Sequence, residues 1–244
     1  MKKESRSLAI KICIIGVLLA AAWLLSNYIF KLLDTGEKNK ADLQKVLQTA
    51  NVGDYVTFGT YEQDNVEADG REPIEWRVLD QQDDRILVVS RYALDWMKYN
   101  TFEASVTWET CTLLAWLNGD FLEAAFEPYE REWVLSVEVS ADPNPNHATS
   151  PGNATTDRVF LLSVPETERY FDSVSDRACA GTAYCYARGA FRAGNGNCWW
   201  WLRTPGVDGY RAAYIVDSGV ANSAGHVHDY LYAVRPAMWL STKE

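Results

Sequence analysis

The chain has 244 residues, 48% hydrophobic and 23% charged, which places it among globular proteins and away from disordered ones. Its formal net charge of -10 excludes a non-specific nucleic-acid binder, which needs a basic stripe, so no nucleic-acid partner is expected. The 10 Trp and 13 Tyr supply large rings that serve equally well as core and as contact surface.

The first element is apolar. Lys2, Lys3, Arg6 and Lys11 precede a run without charge from Ile12 to Phe30, closed by Lys31. A run of about 20 residues crosses a bilayer as a helix. The basic flank puts residues 1–33 in the role of a cytoplasmic tail and single transmembrane anchor, with everything after them extracytoplasmic. The competing reading is a cleaved signal peptide, but Ala20 and Ala22 sit inside the apolar core rather than after it. Residues 34–50 read as a polar juxtamembrane stalk, and residues 51–242 as one globular domain.

From Asp54 the pattern turns to period two with β-branched and aromatic residues, the mark of strands. Tyr55–Gly59, Ile74–Leu79 and Arg85–Ser90 read as a three-stranded meander whose apolar faces later helices cover. Thr107 is an N-cap for an amphipathic helix carrying Leu113, Leu114, Leu117, Phe121, Leu122 and Phe126, divided by Asn118-Gly119. Ser140–Thr156 is an exposed loop. Arg158–Ser163 reads as a strand, Pro165–Phe171 as a short helix, and Asp176–Gly189 as a further helical stretch. Trp199–Arg203, Ala212–Val216 and Ala233–Leu240 supply the last strands. The fold class expected is α+β.

Outside the anchor, Cys111, Cys179, Cys185 and Cys198 admit one or two disulfides or four buried thiols, and their spacing is not that of a metal site. Asp64–Gly70 resembles a calcium loop but reads better as an acidic turn, because the EF-hand ligand spacing and the distal Glu are missing. Trp199-Trp200-Trp201 must point to both faces of a strand, as core packing or as a platform for sugar rings. His226, His228 and Asp229 could hold a metal if two residues apart share one face. No motif requires a cofactor, and none is expected.

The series Gly53–Gly59, Glu72–Leu79, Ser90–Asp95, Trp200-Trp201-Leu202-Arg203-Thr204-Pro205-Gly206 and Val234-Arg235-Pro236-Ala237-Met238-Trp239-Leu240 resembles a bacterial, Firmicutes-type family of uncharacterised domains. Its final third is similar to the C-type-lectin-like fold of formylglycine-generating enzymes and of retroelement variable proteins. The resemblance implies a scaffold displaying residues 208–232 to a protein or glycan ligand. The implied contacts are Tyr210, Arg211, Asp217, Asn222, His226, His228, Asp229 and Tyr230. No Glu-Pro-Asn or Gln-Pro-Asp triplet occurs, which departs from calcium-dependent lectins. The expectation is thus a membrane-anchored binding module. The alternatives are a metal-dependent extracytoplasmic enzyme using His226, His228 and Asp229, or a structural envelope protein.

Overall fold

The computed structural model describes residues 24–26, 28 and 40–243. Most of the expected anchor, Ile12 to Phe30, lies outside the described residues, and no helix among those described is long and apolar enough to cross a membrane. The chain divides into two compact units, Met1–Val46 and Leu47–Glu244. In the first, the described residues are helical. The second begins with Leu47 fully buried and Gln48 donating to the Thr242 carbonyl at 3.0 Å.

Two five-stranded sheets organise the larger unit. The first contains β1 (Tyr55–Tyr61), β2 (Glu72–Gln82), β3 (Arg85–Ser90), β7 (Val159–Phe160) and β12 (Ala237–Ser241), in the order β1-β2-β3-β12-β7. The second contains β4 (Asp95–Trp96), β8 (Trp199–Pro205), β9 (Arg211–Ile215), β10 (Ala221–His226) and β11 (Tyr232–Val234), in the order β10-β9-β8-β11-β4. A small hairpin pairs β5 (Val137–Val139) with β6 (Thr155–Asp157). Among the described residues, these strands all pair antiparallel except β11 with β8. The expected α+β class and the β1-β2-β3 meander are present.

Alternation in β2 explains why it folds here. Ile74, Trp76 and Val78 point to one face and are fully buried, while Glu75 and Arg77 face the other way. The Trp76 indole donates to the Phe58 carbonyl at 2.7 Å, so this fully buried ring has its polar atom paired. Gly59 bends β1 where its register with β2 shifts, at φ +70°. A Cβ there would meet the Phe126 ring at 2.5 Å and the Ala125 carbonyl at 2.6 Å, so only glycine fits.

Several expected elements change shape. The helical stripe forms a 3-10 turn at Trp108–Thr110, then α-helix at Thr112–Trp116 and Leu122–Ala125, joined by a π-helical turn at Leu117–Phe121. Asn118-Gly119 therefore widens the helix rather than dividing it. The Asn118 side chain pins this turn to β7, accepting from the Arg158 and Val159 amides at 2.8 and 3.2 Å and donating to the Val159 carbonyl at 2.8 Å. The strand expected over 158–163 shrinks to β7, because Ser163 caps the helix Val164–Tyr170 through a reciprocal bond with Glu166. The 176–189 stretch keeps a 3-10 turn at Ser175–Arg177 and a helix at Ala183–Arg188. The 140–156 loop is less free than expected. Asn144 is buried and donates to the Pro205 carbonyl at 2.7 Å and to Ser223 Oγ at 2.9 Å.

The strand expected over 233–240 breaks at Arg235-Pro236 into β11 and β12, which belong to different sheets. Proline cannot donate to a ladder, so pairing must stop there. The segment β3–β4 makes the same crossing: β3 pairs with β12, and β4 with β11. Two adjacent chain segments thus pass together from one sheet to the other. Arg235, buried at the crossing, donates to the Ser90 carbonyl at 3.0 Å, with its guanidinium 5.0 Å from the Trp200 ring. Trp200 and Trp201 are fully buried, so the core reading of the tryptophan triplet holds for both.

Candidate functional site

The hairpin β9–β10 carries most of the expected contact residues but separates them. His226 faces Arg211 in register at one end. Asp217 lies in the turn at the other end, about 17 Å away for a five-residue strand. Asp217 is engaged there, accepting from the Trp199 indole at 3.1 Å and, through its carbonyl, from Asn197 at 2.9 Å. Asn222 turns its oxygen to the Ala224 amide at 2.8 Å, inside the irregular register of β10. Arg211 is paired with Asp208. All three side chains thus have partners within the fold.

Tyr210 and His226 stand at the open end, and His228 and Tyr230 lie on the segment that leads from there to β11. Val227, fully buried, anchors the turn: its amide donates to the Tyr210 carbonyl at 3.0 Å, and its carbonyl accepts from the Asn100 amide at 2.8 Å. That anchoring ends β10 at His226, so His226 and His228 are not strand neighbours two apart. His226 Nε2 lies 3.7 Å from Glu103. His228 turns to Lys98, whose ammonium is 3.1 Å from Nε2 and 3.3 Å from Nδ1. A cation already holds that imidazole. The ligand atoms of His226, His228 and Asp229 do not converge as a metal set among the described residues.

The residues that meet Tyr230 come from β4 and its continuation, more than 100 positions earlier. Trp96 pairs with Ala233 in the sheet, which sets its indole beneath Tyr230. The two rings stack with centroids 5.4 Å apart and planes 12° from parallel, and the indole donates to the Tyr230 carbonyl at 2.6 Å. Lys98 Nζ lies 3.9 Å from the Tyr230 ring centroid, a cation–π contact. The His228 ring is 6.2 Å from the same phenol ring. Tyr230 remains 56% exposed in spite of these contacts, so its ring is fixed yet open to solvent. Trp96 and Lys98 have no sequence signal of their own; only the β4–β11 register brings them here.

A second concavity, of about 400 Å³, opens between Tyr61 and Tyr184 beside Glu62, Glu67 and Arg71. Tyr61, in its wall, leads into a polar network. The Tyr61 hydroxyl donates to Asp95 Oδ2 at 2.6 Å, and Arg188 Nε lies 3.5 Å from Oδ1. Burial raises the Asp95 carboxyl, and its hydrogen bonds from Tyr61 and Trp96 offset that only in part. The nearby carboxylates of Glu62, Asp64 and Glu72 lie within 4.8 Å of one another. Backbone amides occupy them: Glu72 accepts from Gln63 at 2.6 Å, and Val66 donates to Glu62 at 3.0 Å and to Asp64 at 2.8 Å. This is the hydrogen bonding of an acidic turn.

No curated protein and no solved structure matches the chain. A family model, described as a domain of unknown function (DUF6273), matches residues 83–242. The match takes in β3 through β12, and so both halves of the paired crossing and the whole Tyr230 end, while β1 and β2 precede it. Covering well over half of the chain, it establishes that the protein belongs to the DUF6273 family, an uncharacterised domain family.

Proposed function

We propose that this chain is a membrane-anchored, extracytoplasmic binding module of C-type-lectin-like architecture that recognises a glycan through the Tyr230 end of the 208–232 segment. The observation that carries the reading is the fixed stack of Trp96 and Tyr230, with the Lys98 ammonium over the Tyr230 ring and His228 beside it. A flat ring held rigid but exposed loses little conformational freedom on binding. Sugar rings present an apolar face suited to such a stack. The ammonium and imidazole beside it suit hydroxyl groups around that face.

The sign of the chain's charge also fits. A net charge of -10 keeps the domain from binding polyanions indiscriminately, and Lys98 gives the stack a local cation within an acidic protein. The apolar run from Ile12 to Phe30 supports the anchor and the orientation, with the N-terminus cytoplasmic.

The test is a glycan array and a surface-protein array probed with the full chain held in lipid nanodiscs. Binding to glycans that Tyr230→Ala abolishes supports the proposal. A protein ligand in place of a glycan, or binding that survives Tyr230→Ala, contradicts it. Protease digestion of intact cells checks the orientation: residues after 50 must be cleaved from outside.

A further inference from the structure

We propose that Cys179 and Cys198 are a disulfide-forming pair, a thiol modification site that ties the start of β8 to the segment preceding the helix Ala183–Arg188. Register is the first ground. An antiparallel bridge joins Ala180 to Asn197, which sets Cys179 directly opposite Cys198, and the Cys198 amide donates to the Cys179 carbonyl at 2.8 Å. Residues opposed in this way have Cα atoms about 4.5–5.5 Å apart, inside the range a disulfide spans. The Cys198 thiol donates to the Cys179 carbonyl at 3.3 Å, which places its sulfur against the Cys179 backbone.

A buried cation supplies the second ground. Arg235 is 4% exposed, and its guanidinium donates to the Ser90 and Arg177 carbonyls. None of the described carboxylates pairs with it. Its positive charge acts on the Cys179 sulfur. Burial disfavours the Cys179 thiolate, but the Cys198 thiol and the Arg235 guanidinium outweigh that and lower Cys179 to about 7. Cys198 is pushed the other way by the same contact and by burial.

The remaining extramembrane thiols are set apart from this chemistry. Cys185 donates to the Asp95 carbonyl at 3.1 Å, and burial and the Asp95 charge raise it. Cys111 donates to the Trp108 carbonyl at 3.2 Å, and burial pushes it up to about 12.

The step requires a disulfide oxidant, RS–SR. Cys179 thiolate attacks one sulfur of the oxidant, breaking its S–S bond and releasing RS⁻. Cys198 gives its proton to that thiolate and attacks the Cys179 sulfur, expelling the second RS⁻, which is protonated by solvent. Two protein thiols are oxidised and one RS–SR is reduced to two RSH. Both sulfurs are buried in the folded state, at 3% and 0% exposure, so the exchange takes place before the 178–198 segment docks.

The experiment refolds the full chain in detergent with oxidised and reduced glutathione, then alkylates the free thiols under denaturing conditions and maps the peptides by mass spectrometry. The expected result is two of the five cysteines protected, with one cross-linked peptide pair joining Cys179 to Cys198 at a mass lower by two hydrogens. Closing a loop of about 20 residues raises the melting temperature by about 5–10 °C, reversibly with reductant. Cys111→Ala and Cys185→Ala must retain the cross-link, which keeps the test valid if Cys198→Ser fails to fold. Five alkylated cysteines after oxidation, or a bond that joins any other pair, would overturn the proposal.

Discussion

The two sheets have the same number of strands and meet at the same crossing, yet they treat their side chains in opposite ways. In the first sheet, β3 is buried from Ile86 to Ser90 and β12 from Ala237 to Leu240. These central strands spend nearly every side chain on the core. In the second sheet β8 is equally buried, but the flank strand β10 alternates between partly buried and exposed, and the opposite flank presents Tyr230 over Trp96. The contrast teaches where change is tolerated: the interior of either sheet carries stability, and the flanks of the second are free to carry recognition.

Substitutions that break this division rank by how much buried structure they remove. Trp76→Ala deletes the fully buried indole and its bond to Phe58, and costs about 3–5 kcal/mol in denaturant unfolding. Arg203→Met comes next. Arg203 is 3% exposed and joins three distant segments, bonding Glu166, Asp142 and the Leu161 and Ser140 carbonyls. Its two acids are partly open to water, so the loss is about 2–3 kcal/mol rather than the full cost of a stranded buried charge. Glu166→Gln should lose less than Arg203→Met, because it keeps the cap on the Val164–Tyr170 helix.

Asp95 sharpens the comparison from the flank toward the core. Its folded pKa is raised by burial, so the unfolded chain releases this proton first as pH rises. Below the ordinary carboxylate range both states are protonated and Asp95 contributes nothing to pH dependence. Between that range and its raised folded value, stability falls with increasing pH, and above the folded value the loss is complete. Subtracting the melting temperature of Asp95→Asn from that of the native chain isolates the effect. That difference must fall as pH rises through the window. A flat difference would mean that burial does not govern the group.

A smaller effect is expected from zinc. With the Lys98 ammonium against both His228 nitrogens, added zinc leaves the melting temperature of the native chain unchanged. A rise that His228→Ala abolishes would show instead that the imidazole exchanges its ammonium for metal.

Much of the fold is legible because local pattern and tertiary fate agree. Alternation in Ile74-Glu75-Trp76-Arg77-Val78 specifies β2, and the periodic apolar residues from Leu113 to Phe126 specify the helical run. The failures arise where a side chain overrides the pattern. Pro236 divides what reads as one continuous strand, and Asn118 turns a helix break into a widened turn. β10 has no signature in the sequence because Ala221-Asn222-Ser223-Ala224-Gly225 is small and polar, with a β-strand's pairing but not its composition. The site was half visible. The 208–232 segment stands out for its exposed polar and aromatic residues, yet Arg211, Asp217 and Asn222 are engaged by Asp208, Trp199 and Ala224. Trp96 and Lys98 could not be found, since their partner lies across a register that only the folded chain defines.

The measurement that bears most directly on the central claim pairs binding with stability in one variant. Tyr230→Ala removes an exposed ring and should shift unfolding by less than about 1 kcal/mol. Glycan affinity, measured on the same nanodisc preparation, should fall at least about tenfold, the equivalent of about 1.4 kcal/mol. Lost affinity with intact stability is the outcome the account predicts. Unchanged affinity with intact stability would contradict it and move recognition away from the Trp96–Tyr230 stack.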